Sequence, residues 1–333
     1  MNNKKEILVK IFLNSEIDFQ VWDELAKDSI FHSRKWIAVL CNSYGLKPFY
    51  AMAVNGNNFA LIAACKIRGE YISLPYTFIS GFLHNSMEMQ KALEFELANS
   101  GCKVHYRLLG EVSPSTQVIA SVISFSDISS YWKSLSKNMR NQIRKSEMTN
   151  FDFIKNSDID DFYKVFSKNM HRLGTPTHGR DFFHALKASY DTLRVFTVHY
   201  CGKPVASLCG VIGNDVIDRQ VTTFYNLWAS TLHEYDKLYV NYFLYWHMIQ
   251  SIAAEGICRI NLGSSIVDSG VFKFKQKFRV ENYAIYDHTI GANFSVNNTY
   301  KTSPLLNIAA NIWCTMPYSF SLWLGPKLRK YLP

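Results

Sequence analysis

From Leu238 to Val280 the chain reads LYVNYFLYWHMIQSIAAEGICRINLGSSIVDSGVFKFKQKFRV, and the order of patterns in this stretch decides the fold. Val240, Leu244, Met248 and Ile252 recur every four residues with Phe243 beside them. That is one buried stripe of a helix, and Gly256 supplies its stop. A strand is expected next, because Cys258, Ile260 and Leu262 alternate with Ile257, Arg259 and Asn261. Gly263, Ser264 and Ser265 then open a loop where backbone can approach a ligand closely. Phe272-Lys273-Phe274-Lys275-Gln276-Lys277-Phe278 follows, setting apolar anchors between ammonium groups suited to a phosphate or a developing oxyanion. The competing reading of that element is a short amphipathic segment with a solvated basic edge.

Working backwards, a strand at Phe151–Ile154 precedes a helix in DIDDFYKVFSKNMHRL, capped by Ser157 and ended by Gly174, and a second helix at Arg180–Ala188. Strands are expected at Leu193–Tyr200, Pro204–Ile212 and Val216–Phe224, and a last one at Tyr283–Asp287. The first part of the chain has the same order. A strand at residues 5–12 and a helix at Phe19–Ala26 come first, then RKWIAVLCNSY, capped by Ser33 and closed by Gly45. Phe49–Val54 and Phe59–Ile67 flank Asn55-Gly56-Asn57-Asn58, a strong hairpin signal, with a third strand near Tyr71–Leu74. MEMQKALEFELAN, between Ser86 and Gly101, is helical, and Lys103–Leu109 alternates as a strand. Each half therefore runs β-α-α-β-β-β-α-β. That order resembles the GNAT acyltransferase fold, present twice. The expected class is α/β (α+β), two tandem GNAT-like acyl-CoA N-acyltransferase folds, each with a mixed central sheet. The expected divisions are residues 1–125, residues 126–290 beginning with a basic helix, and a helical tail at residues 291–333.

At 333 residues, 48% hydrophobic and 15% aromatic, the chain can fill two cores, and a disordered class is excluded. A net charge of +9 implies an anionic partner: phosphate, nucleic acid or a lipid headgroup. The seven cysteines form no C-x-x-C pair and sit mostly in apolar runs, so buried free thiols in a reducing cytoplasm are expected. The start, MNNKKEILVKIFLNS, does not read as a signal peptide. Ten histidines form no H-E-x-x-H, and neither G-x-x-x-x-G-K-[ST] nor G-x-S-x-G occurs, which leaves metalloprotease, P-loop and hydrolase readings without support.

Between the halves lies YWKSLSKNMRNQIRKSEM. Lys133, Lys137, Arg140 and Arg144 fall on one face of an expected helix, with Lys145 adjacent and Leu135, Met139 and Ile143 on another face. Such a face binds phosphates through guanidinium contacts or serves only to keep the chain soluble. Thr302–Pro326 contains no charged residue. Asn307, Asn311, Pro317 and Gly325 interrupt it, so two short helices are expected rather than a membrane span. Leu305, Ile308, Ile312 and Met316 form a stripe, Trp313, Phe320 and Trp323 add aromatic bulk, and Lys327, Arg329 and Lys330 follow. This suits either a helix lying at a bilayer surface or one packed on the body of the protein.

Several of these segments resemble the FemAB family, in particular its branch found beside exosortase and exopolysaccharide loci. LSKNMRNQIRKSE at 135–147 resembles that branch's basic helix, and NMHRLGTPTH at 169–178 its arginine-glycine-threonine-proline segment. NYFLYWHMI with GVFKFKQKF is the most recognisable part, and SLPYTFISG and the terminal LGPKLRKYLP are also similar. The resemblance implies a BioF2-like acetyltransferase domain and transfer of an acyl or aminoacyl group onto an amine of a cell-envelope, peptidoglycan or exopolysaccharide precursor. It implies no permanently bound cofactor, with aminoacyl-tRNA or acyl-CoA as co-substrate. The acceptor it implies is a phosphorylated or lipid-linked saccharide or peptide. Phe274 and Lys275 would stand at the acyl-donor end. Two departures stand out: Asn261-Leu262-Gly263-Ser264-Ser265 replaces aspartate-phenylalanine-glycine-arginine-serine, and Phe278-Arg279 replaces tryptophan-glycine.

Acyl transfer needs a neutral amine, a positioned carbonyl and stabilisation of the tetrahedral oxyanion. Lys275 is the candidate for the last role or for gripping the donor's phosphate. Arg140, Arg144 and Lys145, with Asn138, would hold an acceptor diphosphate or a tRNA backbone. His171, Arg172, Asn241, Tyr245 and Trp246, with Ser265 and Phe274, would line the cleft, and His171 and Asp268 are the candidate bases. The segment Tyr235–Val240, just before the long helix, lacks the glycines with which acetyl-CoA enzymes of this fold cradle pyrophosphate, which weakens acetyl-CoA as donor. The rival class is a non-catalytic RNA- or lipid-binding protein on a degenerate scaffold. The expected location is the cytoplasm, with residues 304–332 offering peripheral contact to the inner face of the membrane.

Overall fold

Strand β1 (Lys10–Leu13) leads through a 3-10 turn (Asn14–Glu16) to helices α1 (Phe19–Ala26) and α2 (Arg34–Tyr44). Strands β2 (Lys47–Asn55), β3 (Asn58–Ile67), β4 (Glu70–Ser73) and β5 (Leu83–His84), helix α3 (Met87–Asn99) and strand β6 (Val104–Gly110) follow. Next come β7 (Val118–Ser124), α4 (Ile128–Ser134), α5 (Lys137–Glu147), β8 (Phe151–Lys155), α6 (Ile159–Arg172), α7 (Arg180–Ser189), β9 (Leu193–Tyr200), β10 (Lys203–Asn214) and β11 (Thr222–Thr231). A second 3-10 turn (His233–Leu238), α8 (Val240–Ala254), β12 (Arg259–Ile266), α9 (Gly270–Gln276), β13 (Glu281–Ile290), β14 (Ser295–Asn297), α10 (Pro304–Thr315) and α11 (Tyr318–Arg329) complete the chain. The computed structural model describes residues 10–291, 295–297 and 304–332. Residues 5–9 of the expected first strand, the very start read for a signal peptide and the Leu305 side chain of the tail stripe lie outside the described residues.

The described chain forms two units, one of residues 10–110 with 285–291 and 295–297, the other of residues 111–284 with 304–332. The expected boundary at 125/126 moves to 110/111 because β7 pairs antiparallel with β12, from Ser124↔Arg259 to Val118↔Ile266. The tail is not a separate body: α10 and α11 pack on α6.

In the first unit the order is β1-β2-β3-β4-β6, with β5 on β3. The hairpin signal is obeyed: Asn55 pairs with Asn58, and Gly56 takes φ +57, where a side chain would be strained. Phe49, Ala51, Ala53, Ala60, Ile62 and Ala64 face Met89, Leu93 and Leu97 of α3. The opposite face carries Tyr50, whose ring meets Trp22 of α1 at 5.1 Å. Strands β4 and β6 run parallel, with α3 between them in the chain. A parallel pair requires such a crossover.

The second unit has the order β7-β12-β11-β10-β9-β8, with Glu281–Ala284 of β13 on the other side of β7. Here α8 is the crossover between the parallel pair β11 and β12. The expected stripe of α8 is buried throughout, with Val240, Leu244, Met248 and Ile252 at 0% exposure. It packs with Met139 and Ile143 of α5 against Phe196, Val198, Leu208 and Phe224 of the sheet. Alternate residues of β9 and β10 face the other way, towards α6, and α7 packs on α6 and on Trp228 of β11. Helices α5 and α8 thus cover one face and α6 and α7 the other.

Several expectations are corrected. The basic helix between the halves is two helices: Leu135 is extended, and Ser136 caps α5 by accepting from the Met139 amide at 3.1 Å. Lys133 therefore leaves the cationic face. The cap of α6 is Asp158, one residue later than Ser157. The strand expected at Val216–Phe224 is displaced to Thr222–Thr231, because Asp215 accepts from the amides of Ile217 and Asp218 and folds that stretch into a turn. Of the seven free cysteines only Cys65 and Cys209 are buried; Cys201, Cys258 and Cys314 are exposed.

Gly210 of β10 crosses β11 so closely that an added Cβ would sit 2.3 Å from the Tyr225 carbonyl. Gly210→Ala is expected to lower unfolding stability by about 2–3 kcal/mol. Met148→Ala, at a site 83% exposed, should stay within ~0.5 kcal/mol of wild type in the same urea titration.

Candidate functional site

Where β11 and β12 part, two bulges meet. The parallel pairing runs over Thr223↔Arg259, Phe224↔Ile260 and Tyr225↔Asn261 and stops there. Immediately beyond, β11 carries an extra residue against β10, since Gly210 pairs with Asn226 but Cys209 with Trp228. Strand β12 carries its own irregularity between Asn261 and Ser264 against β7. The sequence predicts a loop opening at Gly263; the structure keeps the strand to Ile266 and makes Gly263 the bulge. Gly263 takes φ +75, and the buried Asn261 side chain accepts from its amide at 2.9 Å.

Lys275 is built into this bulge. The interleaved Phe-Lys run is helix α9, with Ser269 as cap accepting from the Phe272 amide. Helical spacing puts Phe274 and Phe278 together, at 5.3 Å between ring centroids, and separates the three lysines. Lys275 alone turns inward, 3% exposed, and its Nζ donates at 2.8 Å to the carbonyls of both Gly263 and Ser264. No described ion pair involves it. Burial therefore lowers the pKa of the amine to about 7.

Buried polar groups are also found on β11, on α8 and along the bulge. The Asn226 amide nitrogen donates to the Tyr245 hydroxyl at 3.4 Å, while Asn226 Oδ1 and Ser265 Oγ are buried without a partner. Burial pushes the Tyr245 hydroxyl up to about 12, so it stays protonated. Its ring contacts Phe274 and Phe278. Asn226 was not foreseen: a lone asparagine in an apolar strand carries no sequence signal, and only the bulge beside it gives it meaning.

The cations of α5 and α9 are joined through aromatic rings at the start of α8. Lys145 Nζ lies 5.7 Å from the centre of the Tyr239 ring, Tyr239 contacts Tyr242, and Lys277 donates to the Tyr242 hydroxyl at 2.6 Å. Tyr242 also meets Phe274, which closes the chain onto the Lys275 helix. Arg144 stands over Trp132, whose ring contacts Trp246. Arg140 and Asn241 are half-buried and Asn138 is exposed on the same side. No side chain caps α8, and Tyr239, at φ +59, forms the entry turn where the glycine loop is lacking. Positive helix dipole and two ammonium groups thus converge on one edge.

The histidine and arginine of α6 do not join this group. Helix α6 covers the opposite sheet face; the His171 ring packs on Tyr318 of the tail, and Arg172 donates to Asn169. Asp268 is exposed in the turn before α9 at φ +63. The two departures also resolve. Position 261 is buried and position 264 exposed, so these positions do not form a buried pair. Arg279 stands in a left-handed conformation, φ +53, that favours glycine, and its guanidinium donates to the Ser134 carbonyl at 2.8 Å. Beside it the Tyr131 hydroxyl donates to the Phe278 carbonyl at 2.7 Å, fastening α4 to the end of α9.

The first unit has a cavity of about 310 Å³ at the corresponding place, where β4 and β6 part, lined by Ser73, Pro75, Tyr76, His105, Arg107 and Asp287 among others. Its charged groups are paired, Arg107 with Asp287 and Glu70 with Lys103, and the His105 ring also bonds Glu70. Among the described residues no cluster of His, Cys, Asp and Glu is arranged to hold a metal.

Residues 133–276 match the family model of an acetyltransferase (GNAT) domain. The chain as a whole has the tandem GNAT fold. FemX superposes with a TM-score of 0.59 at 11% identity, over 84% of this chain and 96% of that one. A tandem GNAT protein from the clavulanic acid biosynthesis pathway gives 0.54 at 5% identity, over 86% and 100%. A conserved protein of unknown function from Bacteroides thetaiotaomicron VPI-5482 gives 0.52 at 13%, over 83% and 99%. No curated protein matches the sequence.

The depressed amine sets a pH signature. In the unfolded chain Lys275 takes up its proton near pH 10, in the folded chain near 7, so between these values the unfolded state holds more protons and stability rises with pH. The stability of wild type relative to Lys275→Met should increase by about 1 kcal/mol per pH unit between about pH 7.5 and 9, measured by urea unfolding. An unchanged difference would mean the amine titrates normally.

Proposed function

We propose that the second unit transfers an acyl or aminoacyl group from an activated donor to an amine. The observation that carries this reading is the Lys275 amine, paired with no carboxylate among the described residues and buried on the bulge beside the point where two bulged strands part; the Asn226–Tyr245 pair lies on the neighbouring β11 and α8. The attacking amine must be neutral, and it must lose a proton as its nitrogen bonds to the carbonyl carbon. The bond from that carbon to the donor's sulfur or oxygen breaks. Neutral Lys275 keeps both N–H groups on the Gly263 and Ser264 carbonyls, which leaves its lone pair to take the proton and return it to the leaving group. The protonated Tyr245 hydroxyl is the donor available to the oxyanion.

This assigns Lys275 proton transfer rather than the oxyanion or phosphate role, since two of its N–H groups are already committed. Anion binding falls to Lys145 and Lys277 at the start of α8, for a phosphate of the donor, and to Arg140 and Arg144 for an acceptor phosphate. The donor is acyl-CoA or aminoacyl-tRNA, bound transiently. The acceptor is a phosphorylated or lipid-linked saccharide or peptide of the cell envelope.

Product formation from radiolabelled acyl-CoA and aminoacyl-tRNA with amine acceptors tests this. Lys275→Met should lower kcat about 10²–10⁴-fold and remove an inflection near pH 7 from the wild-type profile. Lys145→Ala and Lys277→Ala should raise the donor KM roughly five- to tenfold with kcat little changed. Full transfer by Lys275→Met would contradict the assignment. Salt-sensitive RNA binding with no turnover on any donor would favour the non-catalytic class instead.

A further inference from the structure

We propose that the outer face of the C-terminal helix pair docks on an anionic lipid bilayer surface. The inner face is accounted for. Trp313, Ser321 and Gly325 are buried, both helices pack on α6, and the Tyr318 hydroxyl meets Ser167 Oγ at 2.7 Å. Gly174, at φ +69, lies so close to Ala310 that an added Cβ would come within 2.6 Å of its carbonyl oxygen. The pair is therefore fixed to the body by one side only.

The other side presents apolar side chains to solvent. Ile308 and Ile312 of α10 are 55% and 60% exposed, and Phe320 and Trp323 of α11 are 46% and 57% exposed. With Leu328 and Tyr331, six of the sixteen exposed large apolar side chains among the described residues fall within this short tail, whereas the remaining ten are spread through the rest of the described chain. Single exposed apolar residues are ordinary; a cluster on two consecutive helices is a docking surface.

Charge selects the occupant. No aspartate or glutamate follows Asp287 in the sequence, while Lys301, Lys327, Arg329 and Lys330 do. Lys327 Nζ lies 3.5 Å from the centre of the Trp323 ring, and Lys330 stands over Tyr331 at 4.8 Å. An amphipathic ring with an ammonium beside it is the chemistry of a headgroup boundary, where the ring enters the acyl edge and the cation meets lipid phosphate. A second copy of the same face would set cation against cation. No described helix is long and apolar enough to cross a membrane, so the pair would lie in the plane of the surface. This proposal does not depend on the chemistry assigned to Lys275.

Flotation of the full chain with vesicles tests it. Binding is expected to phosphatidylcholine vesicles containing phosphatidylglycerol and not to phosphatidylcholine alone, with a blue shift of tryptophan fluorescence. Phe320→Glu with Trp323→Glu should reduce partition more than about tenfold, and Lys327→Gln or Lys330→Gln about fivefold each. Phe95→Glu, at a site 69% exposed in the first unit, should leave partition unchanged. Circular dichroism identical to wild type establishes that the double variant is folded; the two lysine variants carry the test if it is not. Absence of binding to anionic vesicles would overturn the proposal, as would equal binding by the variants. So would a solution dimer abolished by Phe320→Glu with Trp323→Glu, since the face would then belong to a second copy.

Discussion

A lysine amine withdrawn from water, held by two backbone carbonyls and by no carboxylate, is the constraint on which the arrangement of the second unit depends. Carbonyl dipoles compensate a buried charge far less than a carboxylate would, so the folded protein favours the neutral amine. Three separate features of the chain hold it in this state. The bulge at Gly263 turns two successive carbonyls toward one point. The aromatic set of Tyr242, Tyr245, Phe274 and Phe278 excludes water around α9. The Tyr131 and Arg279 contacts fix the far end of that helix. Arg279 stands where glycine would be unstrained, and its bond to Ser134 offsets the left-handed backbone, a cost of about 1–2 kcal/mol.

The fold supplies the location. A parallel strand pair made by a helical crossover cannot be paired along its whole length when each strand is bulged, and the opening falls at the carboxyl end, beside the start of α8. The two cations of that edge, Lys145 and Lys277, come from helices far apart in sequence and are brought together by the tyrosines of α8. The first unit repeats the parallel pair and holds a cavity there, but Arg107 is paired with Asp287 and Glu70 with Lys103, and no buried amine is present among its described residues. The two units share a plan and differ in chemistry.

The element order of both halves was legible because apolar periodicity, Gly45, Gly56, Gly101 and Gly256 mark boundaries whose physics is local. The α8 stripe, the hairpin and the tail's two helices could be read for the same reason. What escaped depends on side chains competing for backbone groups. Asp215 captured two amides and displaced β11, and Ser136 split the basic helix. The Phe-Lys pattern points to Lys275, yet which of three interleaved lysines turns inward, and toward which acceptors, follows only from the bulge. His171 and Arg172 carry chemistry suited to the site, and sequence spacing gives no means of assigning α6 to the opposite sheet face. Asn226 had no signal at all.

The chemistry of the second unit turns on one proton. Titration of the Lys275 side chain by NMR, with ¹³C-labelled lysine and Lys275→Met to assign the resonance, measures it in the folded protein without reference to any substrate. The Lys275 Cε resonance is expected to titrate near pH 7, well separated from the other lysines. A Lys275 resonance that titrates with them near pH 10 would contradict it.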